Sequence, residues 1–406
     1  MADIVAGSDQ AETQSELRSL TVVSIAHWFS HYVILVLPML FPFLRERLGV
    51  GFQELGFALT VFAVVSGLTQ APVGYVVDKF GARKLLILGV CLGSTSFIIL
   101  GMNLSYPSLI ACAALLGLAN SVYHPSDYAL LAANIDGRRI GRAFSIHTFS
   151  GFFGGAVAPA IVAALFAVVG GPGALIASGV LGFVVALLIL AFPIPEASAA
   201  TARSVEAESG SSQNVLTPAI IMLMIFFMLL GLSNGGINSF GVSALMSGYG
   251  LQFATANIAL TAYLGASALG VLAGGFLADR THRHGDVAAA CFAVNVVVIV
   301  LIAMFTPHPV LLIGMMTVAG FLGGVIAPSR DMLVRKAAPP GAAGRAFGIV
   351  STGFNMSGIV SPLLFGWIMD MSMPRGVFWG AAIFMALTVL LALVTERRKP
   401  ATVQAS

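Results

Sequence analysis

Ionisable side chains inside long apolar segments are the residues of this sequence that could do chemistry. His27 and His31 are four residues apart, so they share one face of a helix, and His124 and Asp127, three apart, share another. His147 lies in a third apolar segment. An ionised side chain at the centre of a bilayer costs about 2.5–3.5 kcal/mol on insertion scales. These five residues are therefore candidates for solute binding or proton transfer, and the alternative for each single histidine is a hydrogen bond between helices.

The second half of the chain offers a different set of polar groups. Arg330 keeps its charge and can hold a carboxylate or phosphonate through two parallel hydrogen bonds. Its neighbour Asp331 is expected to point to another side of the helix, where it neutralises a nearby charge or faces a loop. Asn234 and Asn238 form a neutral polar pair at helical spacing. A proton could be carried by Asp127 or by any of the four histidines, because imidazole titrates near neutral pH.

Other chemistries find no support in the sequence. The His27–His31 pair lacks the glutamate of the HExxH zinc motif, so no metal is expected. The chain has no GxxxxGK[ST] loop for a nucleotide and no Ser/His/Asp arrangement for hydrolysis, so neither a cofactor nor an enzyme activity is expected. A channel fits less well than a carrier, because the two halves present dissimilar polar groups.

Composition indicates the kind of element that carries these residues. Of 406 residues, 58% are hydrophobic and 9% are charged, whereas soluble domains have about 25% charged residues. A membrane-spanning helix needs about 20 apolar residues. Cutting the apolar runs at charges and turns predicts an all-α membrane protein with twelve transmembrane helices in two pseudo-symmetric six-helix bundles. The predicted helices are 21–44, 54–77, 84–101, 107–133, 142–169, 173–193, 216–246, 254–278, 287–305, 309–335, 345–371 and 375–395.

The connecting segments predict the domain limits and the orientation. The predicted parts are a tail 1–20, a bundle 21–193, a linker 194–215, a bundle 216–395 and a tail 396–406. With both termini in the cytoplasm, sixteen of the twenty Lys and Arg residues lie inside and three lie outside, as the positive-inside rule requires. We therefore expect a multi-pass protein of the inner (plasma) membrane. The basic residues form no patch for nucleic acid.

The two halves repeat one another. A shift of 203 residues places Pro125 on Pro328 and the segment GRAF (141–144) on the segment GRAF (344–347). The same shift places Asp127 on Arg330. Related halves of a transporter face each other across an axis, with the binding site between them. Asp127 and Arg330 are therefore candidate partners, or competitors for a solute.

The segment GYVVDKFGARK (74–84) resembles the signature loop of the major facilitator superfamily, and GGFLADRTHRHG (274–285) is a weaker echo of it. The resemblance implies the major facilitator fold and a conformational latch at this loop, although the loop could instead only anchor the topology. The latch residues it implies are Gly74, Asp78, Gly81, Arg83, Lys84, Asp279 and Arg280. The segment LLGLANSVYHPSDYALLA (115–132) is similar to helix 4 of the bacterial fosmidomycin-resistance efflux proteins.

These features predict a proton-coupled secondary transporter that moves a small organic, anionic solute by alternating access. Efflux in exchange for protons is favoured, and proton-coupled uptake of an organic anion is the alternative. The alternative stays open because Gly155 and Pro159 are separated, where drug antiporters carry an adjacent Gly-Pro, and helix 4 lacks their arginine. The expected partners are the solute, protons and the lipid bilayer, with no nucleic acid, and the expected state is a monomer.

Overall fold

The computed structural model is entirely helical in the residues that it describes, which are 2–196, 215–280, 284–339 and 343–397. Its helices are α1 Ala2–Met39, α2 Phe41–Leu48, α3 Phe52–Phe80, α4 Ala82–Met102, α5 Tyr106–Asn134, α6 Ile140–Ala191, α7 Pro218–Tyr249, α8 Phe253–Arg280, α9 His284–Met304, α10 Pro309–Ala337, α11 Ala343–Asp370 and α12 Gly376–Arg397. Most of the predicted helix ends lie within four residues of these bounds. The predicted linker and the end of the C-terminal tail fall largely outside the described residues.

Nine of the described helices are long and apolar enough to cross a membrane. One of them, α6, has 52 residues and would be about 78 Å long, which is more than twice the thickness of the hydrocarbon core. It is broken at Gly170, whose φ of 69° is not helical. Two shorter apolar helices lie at Ala289–Met304 and Gly376–Leu391. Counting α6 twice and adding these two gives twelve crossings, so the predicted fold class is confirmed.

The first predicted span differs from the structure at both ends. The helix begins at Ala2 instead of residue 21, and it stops at Met39 instead of residue 44. A separate short helix, α2, follows and ends at Gly49 in the left-handed conformation, with φ of 66°. Pro42 in the first turn of α2 accounts for the break, because it has no N–H to donate to the carbonyl of Pro38, four residues earlier in α1.

The chain divides into two compact units. The first comprises Met1–Val50 and Val61–Glu208, and the second comprises Gly51–Thr60 and Ser209–Ser406. In the first unit α1 packs on α5 and α6, and α4 packs on the same two helices. In the second unit α7 packs on α11 and α12, α8 packs on α10, and α9 packs on α10 and α12. Because α11 and α12 correspond to the two parts of α6, the packing repeats along with the sequence.

Close contacts between helices recur at equivalent positions in the two units. A side chain at Gly117 of α5 would meet the carbonyl oxygen of Phe62 on α3, and one at Gly320 of α10 would meet that of Tyr263 on α8. Gly117 and Gly320 are 203 residues apart, which is the shift found in the sequence. Glycine permits such backbone contact in membrane helices, so the repeat preserves the helix spacing as well as the sequence.

Candidate functional site

Five predicted residues meet in the first unit as a histidine cluster, defined as His27, His31, His124, Asp127 and His147. One carboxylate oxygen of Asp127, Oδ2, lies 3.2 Å from Nδ1 of His27 and 3.1 Å from Nε2 of His147. The rings of His27 and His147 stack, with centroids 3.8 Å apart. The centroid of His27 is also 4.7 Å from that of His31 and 5.2 Å from that of His124. The cluster therefore joins α1, α5 and α6.

The centre of the cluster is shielded from solvent and lipid. Asp127 has no exposed surface, and His27 and His147 are 3% and 1% exposed. The contact with His147 has hydrogen-bond geometry, whereas the contact with His27 does not. Among the described residues, Oδ1 of Asp127 has no hydrogen-bond partner at all. A buried carboxyl group with one free oxygen and two imidazoles in reach is well placed to accept or release a proton.

Small residues on α6 make room for the imidazole rings. A Cβ atom at Gly151 would lie 2.6 Å from Nε2 of His27 and 2.9 Å from Cδ2 of His31. At the preceding position, the Ser150 hydroxyl donates a hydrogen bond to the carbonyl of Ser24 on α1, with an O–O distance of 2.9 Å. Gly151 could not be singled out from the sequence, because it is one of several glycines in the same segment. The structure shows that it sets the distance between α1 and α6 at the cluster.

The spacing of the central three side chains raises the question of a metal. Their ligand atoms all lie within 4.8 Å of one another in the part of the chain that the structure describes. The same spacing follows from the hydrogen bond between His147 and Asp127, which needs no ion. The absence of a metal stays a prediction from the sequence.

A polar clip ties the ends of the same three helices together. Oε1 of Glu16 on α1 accepts hydrogen bonds from the backbone N–H of Asp136 and from Arg139, both at 3.0 Å. Asp136 lies in the loop between α5 and α6 and is paired with Arg138. Hydrogen bonds from Arg138 lower the pKa of Asp136, so this acid outside the spans stays ionised at neutral pH.

In the second unit the predicted Arg330 is held by aromatic rings and by its own neighbour. Its guanidinium carbon lies 4.6 Å from the ring centroid of Phe227 on α7 and 5.3 Å from that of Phe354 on α11. Its Nε and one terminal nitrogen both lie 2.8 Å from the same oxygen of Asp331. Of the two roles expected for Asp331, the structure shows the neutralisation of a nearby charge, because the long arginine side chain bends back to reach it.

The two predicted asparagines of α7 have unequal surroundings. The side-chain oxygen of Asn234 accepts a hydrogen bond from the Tyr263 hydroxyl at 3.2 Å. The buried side-chain oxygen of Asn238 has no such partner among the residues described. The oxygen of Asn238 is therefore the unsatisfied one of the pair, and a role in solute binding stays a prediction for both residues.

The latch residues separate into bonded and solvent-exposed groups. Gly81 joins α3 to α4 with φ of 101°, which confirms the tight turn expected there. The Arg83 guanidinium donates to the carbonyls of Ile189 and Leu190 at the end of α6, at 2.9 and 3.1 Å. Its backbone N–H donates to Glu196, an acid that the sequence did not single out.

The rest of that loop is open. Asp78 is exposed and makes no hydrogen bond or ion pair within the described ranges. The space around a Cβ at Gly74 is empty to 4 Å, so none of the described residues packs closely against it. Lys84 and Arg280 are exposed, and the side chain of Asp279 lies outside the described part of the chain.

Asp127 and Arg330, the predicted central pair, belong to different compact units. Within its own unit each has a local partner of opposite character, namely the histidines for Asp127 and Asp331 for Arg330. The local contacts thus give each residue a role that does not require the other. Their direct pairing stays a prediction.

Two related six-helix repeats in one membrane protein are the architecture of many secondary transporters. The sequence model of the Major Facilitator Superfamily matches residues 23–240 and 221–406, so the chain belongs to that superfamily. Its members are transporters, and the absence of an enzyme activity predicted from the sequence agrees with this assignment.

Individual relatives and solved structures agree with the assignment. The chain is 25% identical to the fosmidomycin resistance protein of Escherichia coli over 289 residues, which cover 68% of this chain and 69% of that protein. It is 25% identical to a probable sulfoacetate transporter of Cupriavidus necator, covering 81% of each.

The fold resembles the inward-facing, occupied crystal structure of a bacterial homologue of the lysosomal transporter Spinster, with a TM-score of 0.77 and 13% identity over 93% of this chain and 96% of the other. The nucleoside transporter NupG gives a TM-score of 0.70 with 17% identity, over 94% of this chain and 98% of that one. These likenesses confirm the fold, and the similarity to the fosmidomycin-resistance efflux proteins noted in the sequence is confirmed as a distant relationship.

Proposed function

We propose that the protein is a proton-coupled secondary transporter that moves a small organic anion by alternating access, with export in exchange for protons as the working direction. The observation that carries the proposal is Asp127, a fully buried carboxyl group within 3.2 Å of two imidazoles in a membrane protein. We place both termini in the cytoplasm of a cell with the protein in its inner (plasma) membrane, on the distribution of Lys and Arg.

Charge counting explains how the cluster could couple protons to transport. With Asp127 ionised and His27 and His147 neutral, the three groups carry one negative charge, and one added proton makes them neutral. An ionised group is costly inside a membrane. The free energy gained when the cluster takes up that proton is therefore larger when the cluster is shut off from water than when it is open to water. Three further titratable side chains lie close to these three: the rings of His31 and His124 are 4.7 and 5.2 Å from that of His27, and the ring of Tyr128 is 5.8 Å from that of His147.

The relatives support the direction and the solute class. A relative named for fosmidomycin resistance favours export, and a relative named as a probable sulfoacetate transporter favours an organic anion. Arg330 is a permanently charged group that suits such an anion. Asn234 and Asn238 are proposed to add neutral hydrogen bonds. Uptake by proton symport remains the second candidate, since neither name fixes the direction for this chain.

Proton coupling can be tested in proteoliposomes that contain the pH dye pyranine. Vesicles loaded with sulfoacetate or fosmidomycin are diluted into solute-free buffer, and the internal pH is followed. Exchange predicts that protons enter as the solute leaves, so the lumen becomes more acidic. A more alkaline lumen would establish symport, and solute efflux without any pH change would contradict proton coupling.

The assignment of the cluster needs matched histidine variants. His147→Gln removes the imidazole that is hydrogen-bonded to Asp127, and we expect the pH signal to fall about tenfold or more. His308→Gln is the control, because His308 is exposed and only accepts a hydrogen bond from the start of α10. Equal signals from both variants would refute a coupling role for His147.

We also propose that the α3–α4 loop acts as a latch through Asp78 and Arg83. The hydrogen bonds of Arg83 to the end of α6 support this role, since they already tie one helix end to another. We expect Asp78→Asn to cripple transport while the amount of protein in the membrane stays unchanged. Asp136→Asn is the matched control in a different loop. Full activity of Asp78→Asn would leave topology anchoring as the only role of the loop.

A further inference from the structure

The contact between Arg330 and Asp331 leaves the guanidinium only partly satisfied. A guanidinium carries five N–H donors, and its flat fork matches the two oxygens of a carboxylate, phosphonate or sulfonate. Here two donors, Nε and one terminal nitrogen, converge on a single oxygen of Asp331 at 2.8 Å. Successive residues on a helix point about 100° apart, so adjacent side chains cannot meet fork to fork. Asp331 is therefore a poorer match than a free oxyanion would be.

The aromatic rings fix the guanidinium in place. Phe227 and Phe354 lie 4.9 Å apart by ring centroid, and Arg330 lies over both of them. Such cation–π contacts hold the plane of the guanidinium without using its N–H donors. Arg330 is 16% exposed, whereas Asp331 is 47% exposed. The arginine is thus held in position while the aspartate is free to swing away.

We infer that Asp331 is a resident counter-ion that occupies the Arg330 fork until an anionic group of the solute displaces it. The ligand class is an organic monoanion with two or three equivalent oxygens and an apolar body, which would lie beside Phe227 and Phe354. The inference rests on the proposed anionic solute. It adds Arg330 as the binding site of that solute, Asp331 as its competitor, and the two phenylalanines as its apolar contact. The headgroup of an anionic lipid carries the same chemistry, so the test must separate the two sources.

Binding to purified protein tests the inference without a membrane or a pH gradient. The probe is phenylphosphonate, titrated by calorimetry at one mildly acidic pH at which it is a monoanion. We expect Asp331→Asn to bind it about tenfold more tightly than the unmodified protein, because the competitor is gone. Arg330→Gln should bind it at least about tenfold more weakly, and Arg330→Lys should bind it weakly because a point charge has no fork.

Two control variants and a melting curve keep the result interpretable. Arg335→Gln removes an exposed cation from the same helix, and Asp136→Asn removes an acid from another loop, so both should bind as the unmodified protein does. Each variant must elute as one species and melt cooperatively. Unchanged or weaker binding by folded Asp331→Asn would overturn the role of Asp331, and unchanged binding by Arg330→Gln would overturn the site.

The lipid source is tested by repeating the titration in nanodiscs of phosphatidylglycerol and in nanodiscs of phosphatidylcholine. Equal phenylphosphonate affinity in both lipids supports a soluble anion as the occupant. Loss of binding in phosphatidylglycerol alone would assign the site to lipid and overturn the solute assignment. If the protein does not bind phenylphosphonate but still couples solute flux to protons, this inference alone is refuted. If it binds phenylphosphonate but moves solute without moving protons, the proposed function alone is refuted.

Discussion

Replacement of Gly151 by alanine is expected to disable the histidine cluster while leaving the helices intact. The new Cβ atom would lie 2.6 Å from Nε2 of His27, whereas an ordinary contact begins at 3.4 Å. The imidazole must therefore move by about 0.8 Å, or α6 must move by that amount. The obstacle is a side-chain ring rather than backbone, so we expect the protein to fold with a loss of about 1–3 kcal/mol in stability.

The displacement acts directly on the contact with Asp127. A shift of about 0.8 Å away from the carboxylate would lengthen the 3.2 Å distance between His27 and Asp127 to about 4 Å, beyond direct contact. The orientation of His147 would change with it, because the two rings stack at 3.8 Å. Since geometry within the cluster governs proton transfer, we expect the rate of proton-linked flux to fall about tenfold and its pH profile to move.

The assay is pyranine-reported flux in proteoliposomes between pH 5.5 and 8.5, with melting temperatures measured in parallel. Gly155→Ala is the matched control, because it lies on the same helix and its Cβ would make only an ordinary 3.8 Å contact with Leu35. We expect that variant to match the unmodified protein. A Gly151→Ala protein with an unaltered rate and pH profile would refute the claim that cluster geometry sets the coupling.

Three further predictions concern stability, each measured as a melting temperature of purified protein. The carboxylate of Asp370 accepts hydrogen bonds from the first two backbone N–H groups of α3, both at 2.8 Å. Asp370→Asn removes that carboxylate and should lower the free energy of unfolding by about 1 kcal/mol, with the circular dichroism spectrum unchanged. Gly320→Ala places a methyl group against the backbone of Tyr263 and should lower the free energy of unfolding by more than about 2 kcal/mol. Gly314→Ala is the control, because its methyl group meets nothing within 4 Å, and it should be neutral. Equal losses in the two variants would contradict the close packing at Gly320. Tyr32→Phe removes the buried 2.7 Å hydrogen bond to Ser178 and should cost about 1 kcal/mol, and a null effect would refute it.

Most of the fold could be predicted from the sequence because the bilayer imposes simple rules. Apolar runs of about 20 residues predict spans, and the Gly170-Gly171-Pro172 turn predicts the break inside α6. The early end of α1 and the short α2 were missed because the apolar pattern continues across the break. The helix ends there because the carbonyl of Pro38 cannot receive the usual helical hydrogen bond from Pro42, which has no N–H, and hydropathy does not record this loss.

The candidate site could be predicted only in part. Helical spacing correctly places His27 with His31, and the rarity of charges singles out Asp127 and Arg330. The meeting of α1, α5 and α6 at one carboxylate depends on tertiary packing, which local spacing does not contain. Two neighbours of the candidate residues were missed for the same reason. Gly151 makes room for His27 by having no side chain, and Phe227, which contacts Arg330, cannot be told from the other 27 phenylalanines by sequence alone.

The central claim is that Asp127 carries the proton that drives transport, and the Asp127→Asn protein tests it most directly. Two rates are compared in the same vesicles: exchange of labelled for unlabelled solute at equal pH, and uphill movement of solute driven by a pH gradient. We expect the variant to keep exchange within about threefold of the unmodified protein and to lose uphill movement. Uphill movement at the normal rate by Asp127→Asn would contradict the account.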